Sequence, residues 1–283
     1  MIRPVGRRAD WRDDIDGLRP TVLLLGGFLT APPFYRPMVR RMVQRGAARV
    51  VVANAWTPDW LLAGFVGLGP ILRRADQALH VASAAAALSR ASKGAPLLVI
   101  GHSAGGMLAR LLTADVPFAG RRYAAAEAIG AIVTLGTPHR LGAGGDLGRR
   151  LIAVAGAAAE RSVPGAFHAP RVAYVAVASR AVVGRPDGDG RSRVAFRLYQ
   201  GLRPEPGATA IEGDGMVPVP AALLDGARNI VLDDVVHGQA AGHPWYGTDL
   251  GLDGWWDEGL SAWRTALRVR AAERPVALTA RSA

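Results

Sequence analysis

A serine lies in a Gly-x-Ser-x-Gly pattern formed by Gly101, His102, Ser103, Ala104 and Gly105. A short apolar run precedes the pattern, and apolar side chains at helical spacing follow it. A sharp turn from a strand into a helix has no room for side chains at the two glycines, and it exposes the serine hydroxyl at the carboxyl edge of a sheet. We therefore predict that Ser103 is a nucleophile. The backbone N–H of Ala104, at the start of the helix, is predicted to face developing negative charge.

A serine hydroxyl is a weak nucleophile and needs a general base, which this arrangement places downstream in the chain. His237 follows the last apolar strand pattern and lies in a loop at the same sheet edge, so we predict that it is the base. His243 is the alternative, but it precedes Pro244 and Trp245 and is expected to pack or cap locally. His102 belongs to the turn itself, and we expect its side chain to point away from the nucleophile.

The base in turn needs an acidic group that holds its tautomer. Asp214 is flanked by glycines and precedes an apolar segment. The flanking glycines would let the backbone approach an imidazole closely, so we predict that Asp214 is the acid. Asp225, Asp233 and Asp234 are alternatives, although the last two are close to His237 in sequence.

A second donor to the developing negative charge is expected in the loop after the first strand. Gly26 and Gly27 follow that apolar run, and their conformational freedom would aim the backbone N–H of the next residue. We therefore predict that the backbone N–H of Phe28 is this donor.

Apolar strand patterns alternate with helical patterns along most of the chain. The strand patterns occur at 21–26, 49–53, 96–101, 129–136, 171–178 and 229–232, and helical patterns between them include 35–45, 71–92 and 107–114. The alternation predicts an α/β fold with a mainly parallel central sheet and helices on both faces. Ligands of such sheets bind at the carboxyl ends of the strands, where Ser103 is expected.

Length and hydrophobic content predict one domain, residues 1–283. Two stretches interrupt the alternation. Residues 140–170 combine several glycines with an apolar helical pattern at 151–159, and we interpret them as a small lid over the site. Residues 182–209 are rich in Gly, Pro and Arg, and we interpret them as a surface excursion before the acid.

Composition excludes several classes of function. The chain has no cysteine, which excludes disulfides, thiolate metal ligands and a cysteine nucleophile. The net charge is +11, but the cations are scattered arginines with a single lysine, Lys93. No basic stretch is interleaved with aromatic residues, so we predict no nucleic-acid partner. The charged start of the sequence has no signal-peptide pattern, and the longest uncharged apolar stretch, 60–72, is too short to span a bilayer, so we expect a cytoplasmic protein.

Several segments together resemble the lipase branch of the α/β-hydrolases, including bacterial and plastid-type lipases and, more remotely, the GPI inositol-deacylases. The matching segments are Gly-Gly-Phe at 26–28, Gly-His-Ser-Ala-Gly-Gly at 101–106, Leu-Gly-Thr-Pro-His at 135–139, Gly-Asp-Gly-Met-Val-Pro at 213–218, and His237. They span about residues 21–260. The resemblance departs at the loop after the first strand, where many lipases carry His-Gly and this chain carries Gly-Gly.

The resemblance implies an α/β-hydrolase fold with Ser103 as nucleophile, His237 as base and Asp214 as acid. It implies an oxyanion hole formed by the backbone N–H groups of Phe28 and Ala104. It implies no cofactor, and the sequence has no clear ligand cluster for a metal such as the calcium of some secreted lipases.

The expected activity is hydrolysis of a carboxylic ester, from a small molecule or a lipid, through an acyl-enzyme. Trp56, Trp60, Leu61 and Phe65 follow the second strand pattern and could bind an acyl chain, although a core helix would show the same pattern. The aromatic residues at 245–263 are expected to pack in the core. Transient contact with a membrane or lipid surface fits the same substrates. An acyltransferase or thioesterase with the same triad, and a non-catalytic binding protein on this fold, are the alternatives.

Overall fold

The structure is a computed structural model that describes residues 10–141, 147–203, 205–240 and 242–273. The described strands are β1 (Thr21–Leu25), β2 (Arg49–Val52), β3 (Leu97–His102), β4 (Ile129–Leu135), β5 (Ala173–Ser179), β6 (Val182–Gly184), β7 (Ile211–Gly213) and β8 (Arg228–Leu232). Six of them form one sheet in the order β2-β1-β3-β4-β5-β8, and all neighbouring strands in it are parallel. Strands β6 and β7 form a separate antiparallel pair.

Helices connect the strands. The described α-helices are α1 (Arg36–Gln44), α2 (Thr57–Val66), α3 (Gly69–Leu88), α4 (Ala104–Leu112), α5 (Leu147–Ser162), α6 (Gly190–Leu202), α7 (Val219–Ala222), α8 (Asp249–Asp253) and α9 (Trp256–Ala272). Among these helices, none has both the length and the apolar character that crossing a membrane requires.

The sheet is covered on both faces, which explains the continuously apolar strands. In β1, for example, all five residues are buried, and alternate side chains enter opposite cores. Leu23 faces a core formed with α2 to α5, whereas Leu24 faces a core formed with α1, α8 and α9. The second core contains three fully buried tryptophans, Trp255, Trp256 and Trp263.

The predicted α/β class and the mainly parallel sheet are confirmed, and each of the six strand patterns is a strand of the central sheet. The segment 182–209 differs from the expected surface excursion, because it contains β6 and the thirteen-residue helix α6. Tyr199 of α6 is completely buried, and Ala195 and Leu202 are buried as well, so one face of α6 packs into the core while most of the remaining segment lies at the surface. The arginines of α6 obscured its apolar face in the sequence.

Within the expected lid, α5 packs against α4 and buries Ala155, Ala159 and the following Val163 in the core. Residues 142–146, also part of that expectation, lie outside the described residues. A lid role for residues 140–170 stays a prediction.

Three loops that carry candidate site residues begin at the carboxyl edge of the central sheet. They follow β1, β3 and β8, whereas Asp214 follows β7 of the antiparallel pair. The fold thereby brings segments more than 200 residues apart in sequence to one edge, where α/β sheets bind ligands.

Candidate active site

Ser103 lies in the sharp turn between β3 and α4. Its backbone has φ +54° and ψ −126°, a conformation that a residue other than glycine rarely adopts. The turn requires glycines on both sides: a Cβ at Gly101 would lie 2.4 Å from Gly106 Cα, and a Cβ at Gly105 would lie 2.2 Å from the Leu25 carbonyl oxygen. The Ser103 side chain is partly exposed, while its neighbours in the turn are buried. The strained turn therefore presents this hydroxyl at the sheet edge.

Asp214 and His237 are in direct contact. The His237 Nδ1–H donates to Asp214 Oδ2 at 2.7 Å, and the backbone N–H of His237 donates to the Asp214 carbonyl at 2.9 Å. Both residues are buried, with Asp214 only 1% exposed. This contact fixes the imidazole with its proton on Nδ1 and leaves Nε2 free to accept a proton.

The Asp214 carboxylate accepts four hydrogen bonds. Besides His237, Oδ2 accepts from the Tyr246 hydroxyl at 3.0 Å, and Oδ1 accepts from the backbone N–H groups of Met216 and Val217 at 3.0 and 2.8 Å. Burial alone would raise the pKa of the Asp214 carboxyl, but the contact with His237 and the two N–H donors outweigh it, so the pKa is lowered. The acid is therefore ionised and held in one orientation.

Tyr246 is completely buried, in keeping with the packing role that its aromatic-rich segment predicts. Its contact with Asp214 is a second role that the sequence pattern does not reveal. Burial and the Asp214 charge raise the pKa of the Tyr246 hydroxyl well above its usual value, so it stays a donor.

A glycine far from Asp214 in sequence makes room for the pair. A Cβ at Gly136, directly after β4, would lie 2.6 Å from Asp214 Oδ2 and 3.0 Å from His237 Nδ1. The expectation that the glycines beside the acid permit this approach is wrong: a Cβ at Gly213 would meet Val217 and Tyr199 instead. In the sequence, the Leu-Gly-Thr-Pro segment at the end of β4 is the feature that could have indicated a role for Gly136.

The predicted oxyanion loop lies against Ser103. A Cβ at Gly27 would lie 2.8 Å from Ser103 Cβ, so the backbone there is in close contact with the serine. The Ser103 N–H donates to the Leu135 carbonyl, but the backbone N–H groups of Phe28 and Ala104 have no acceptor within the described part of the chain. These two N–H groups are the ones that the sequence predicts to bind an oxyanion.

The alternatives weighed from the sequence lie elsewhere. Asp225 and Asp233 are exposed and form ion pairs with Arg140 and Arg180, respectively. His243 is exposed and accepts a hydrogen bond from an arginine side chain, and its backbone N–H donates to the nearby Ala240 carbonyl, so of the expected packing or local capping only a local contact is present. Among the candidate acids, Asp214 is the one that contacts a histidine.

The residues proposed to bind an acyl chain, at the start of helix α2 and within it, differ in their exposure. Trp60 is buried and packs edge-to-face on Phe28, with ring centroids 5.5 Å apart. Leu61 and Phe65 are exposed, Phe65 by 86%. Trp56 is 44% exposed and lines a groove of about 390 Å³ with Pro32, Pro33, Arg36, Val39, Arg40 and Val52. Trp60 is therefore a core residue, whereas the others lie on the surface.

A buried histidine lies beside the site without contacting the Asp214–His237 pair. His139 Nδ1 accepts from Arg110 at 3.3 Å, and its Nε2–H donates to Thr134 Oγ1 at 3.0 Å. Arg110 is itself completely buried and donates to Glu160 and to the Val163 carbonyl. Burial, together with the Arg110 charge, lowers the pKa of His139 well below its usual value, so this imidazole is neutral.

No group of three or more His, Asp or Glu side chains in the described ranges could hold a metal ion. No protein-family model matches the chain, and no curated protein matches it either. The assignment of function therefore depends on the sheet-edge site itself.

Proposed function

We propose that this protein is a serine hydrolase with an α/β-hydrolase fold that cleaves carboxylic esters through an acyl-enzyme on Ser103. The observation that carries the proposal is the 2.7 Å hydrogen bond between His237 Nδ1 and Asp214 Oδ2, at the sheet edge that also presents Ser103. A buried carboxylate that fixes the tautomer of an imidazole beside a strained serine turn is the arrangement needed to activate a hydroxyl.

The chemistry begins with Ser103. His237 Nε2 takes the hydroxyl proton as Ser103 Oγ attacks the ester carbonyl carbon. The carbonyl oxygen becomes an oxyanion that accepts from the Phe28 and Ala104 N–H groups. The C–O bond to the alcohol then breaks, and His237 gives its proton to the leaving alcohol, which leaves the acyl group on Ser103.

Water completes the cycle by the same steps. His237 removes a proton from water as the hydroxide attacks the acyl carbon, and it returns that proton to Ser103 Oγ as the acid is released. Asp214 stabilises the imidazolium in both halves. Each oxyanion donor contributes about 10²- to 10³-fold to kcat in comparable sites.

The surface near the site favours an apolar acyl group. Helix α2 is tied to the oxyanion loop by a hydrogen bond from Thr57 Oγ1 to the Leu29 carbonyl, and its outer face exposes Leu61, Leu62, Phe65 and Val66. Large exposed apolar patches mark binding surfaces rather than ordinary protein surface. We therefore propose esters with a hydrocarbon acyl chain, presented singly or at a lipid surface.

A chain-length series tests this proposal. Hydrolysis of p-nitrophenyl esters with acyl chains from two to sixteen carbons, and of a triacylglycerol emulsion, is measured for the wild type and for Phe65→Asp. We expect the variant to lose activity mainly on the long chains and the emulsion. Leu88→Asp, at a site 78% exposed on α3, is the matched control and should match the wild type. Absence of hydrolysis of every ester by the wild-type protein would refute the proposed function.

A further inference from the structure

A chain of hydrogen bonds joins the oxyanion loop to the loop of the candidate base. The Gly27 N–H donates to the Tyr35 hydroxyl oxygen at 2.9 Å, and the Tyr35 hydroxyl lies 2.9 Å from His102 Nδ1. At the other side of the ring, His102 Nε2 lies 2.8 Å from the His237 carbonyl oxygen. Tyr35 and His102 are 1% and 2% exposed, so the chain is shielded from water. The sequence pattern of the turn does not reveal this contact between His102 and the loop of the candidate base.

The direction of every hydrogen bond in this chain is fixed. A carbonyl oxygen can only accept, so His102 Nε2 carries the proton that reaches His237. Complete burial lowers the pKa of His102 to about 3, so the ring is neutral and its Nδ1 has no proton. The Tyr35 hydroxyl must then donate to Nδ1 and accept from Gly27. Burial also raises the pKa of Tyr35 to about 12, which keeps its proton in place.

The Gly27 end of this series of hydrogen bonds sets the orientation of the predicted oxyanion donor, the backbone N–H of Phe28. The Gly27 carbonyl accepts from Thr30 Oγ1–H at 2.7 Å and from the Thr30 N–H at 3.2 Å. In a planar trans peptide, the N–H points opposite to the carbonyl, so these contacts turn the Phe28 N–H away from Thr30. Tyr35 holds the preceding peptide through the Gly27 N–H. Both peptides next to the nucleophile are thus held by side chains.

The other end of the series of hydrogen bonds holds the candidate base, His237. The His237 backbone N–H donates to the Asp214 carbonyl, its ring donates to the Asp214 carboxylate, and its carbonyl accepts from His102. Of these three hydrogen bonds, two connect His237 to Asp214, and the one from His102 connects it to the segment that carries Ser103.

We propose that Tyr35 and His102 are positioning residues that set the distance between the oxyanion donor at Phe28 and the base His237. This proposal rests on the proposed function, and it goes beyond the triad because neither residue touches the reacting atoms. The transition state needs both groups placed around Ser103 at once. A single hydrogen-bonded bridge between their loops provides that coordination.

Single-residue variants of each member test the bridge. Tyr35→Phe removes the hydroxyl and keeps the ring packing. His102→Gln keeps a donor near the Nε2 position and loses the Nδ1 acceptor. We expect each to lower kcat about tenfold on a p-nitrophenyl ester, with KM within about twofold, because loss of buried hydrogen bonds in the bridge displaces groups that act in the transition state. Tyr174→Phe is the control, because Tyr174 is a buried tyrosine near the start of β5 and outside the bridge, and its kcat should stay within about twofold of the wild type.

The double variant gives a sharper result. If Tyr35 and His102 act as one bridge, Tyr35→Phe with His102→Gln lowers kcat no further than the more damaging single variant. Losses that multiply to about a hundredfold would show two independent roles and overturn the proposal. Equal losses in kcat for Tyr35→Phe and Tyr174→Phe would overturn it too, because they would show a general effect on packing.

A measurement that needs no activity separates the bridge from the proposed function. Nitrogen-15 NMR of the histidine rings, with His102 assigned from the signals missing in His102→Gln, should show a neutral ring protonated on Nε2 from pH 5 to 8. An Nδ1-protonated or charged ring would overturn the bridge even in an active enzyme. Wild-type protein that shows the expected spectrum but hydrolyses no ester would refute the proposed function, and the positioning role with it.

Discussion

Replacing Gly136 by alanine should disable the site through one added methyl group. The new Cβ would lie 2.6 Å from Asp214 Oδ2 and 3.0 Å from His237 Nδ1, whereas ordinary contact begins at 3.4 Å. The carboxylate must therefore move by about 0.8 Å, the difference between the first and last of these distances. Displacements of about 1 Å in catalytic groups cost about 10²-fold. We expect kcat to fall about 10²-fold, at the lower end of the roughly 10²- to 10⁴-fold cost of removing the Asp214 charge.

The same substitution also introduces backbone strain, which needs a control. Gly136 has φ +54°, and an alanine there costs about 1 kcal/mol of stability. Gly120 has φ +76°, and no heavy atom lies within 4 Å of the position that a Cβ would take, so Gly120→Ala carries the strain without the collision. Activity on a p-nitrophenyl ester and the melting temperature are measured for both variants. Gly136→Ala with kcat within twofold of Gly120→Ala would refute the argument that this glycine makes room for the Asp214–His237 pair.

Three further predictions concern the acid, the base and stability in acid. Asp214→Asn should lower kcat by about 10²- to 10⁴-fold in the same ester assay, because the imidazole loses its tautomer and counter-charge, and an unchanged kcat would exclude Asp214 as the acid. His237→Ala should remove turnover, since the serine proton then has no acceptor, whereas exposed His243→Ala should keep it; the reverse result would assign the base to His243. Since burial lowers the pKa of His102 to about 3 and that of His139 well below 6.5, the unfolded chain binds protons below about pH 6.5 that the folded chain does not. The free energy of unfolding in urea should therefore fall by about 2 kcal/mol between pH 7.5 and 5 through His102 alone, with a further decrease from His139, and a flat profile would contradict their neutrality.

The sheet could be predicted from the sequence because local pattern determines it. Parallel strands covered on both faces must be apolar at nearly every position, and runs such as Val22 to Leu25 show this pattern in the sequence. Helix α6 was not predicted, because its buried face consists of few residues among exposed arginines, and its packing against the β6–β7 pair is visible only in the fold.

The candidate site could be predicted in part for the same reason. Ser103 lies in a local turn motif, and Asp214 and His237 follow from the order in which such motifs occur. The contributions of Gly136, Tyr246 and Tyr35 depend on contacts between residues far apart in sequence, which no local pattern encodes. Candidate residues within a turn motif can be predicted from the sequence, whereas the contacts around them are visible only in the fold.

Covalent labelling of the nucleophile is the most direct test of the central claim. The protein is treated with a fluorophosphonate probe, digested with trypsin and analysed by mass spectrometry. We expect one adduct on the peptide 94–110, in which Ser103 is the sole serine, and no adduct in Ser103→Ala or after heat denaturation of the wild type. An unlabelled native protein, or labelling that persists in Ser103→Ala, would contradict the claim that this serine is an activated nucleophile.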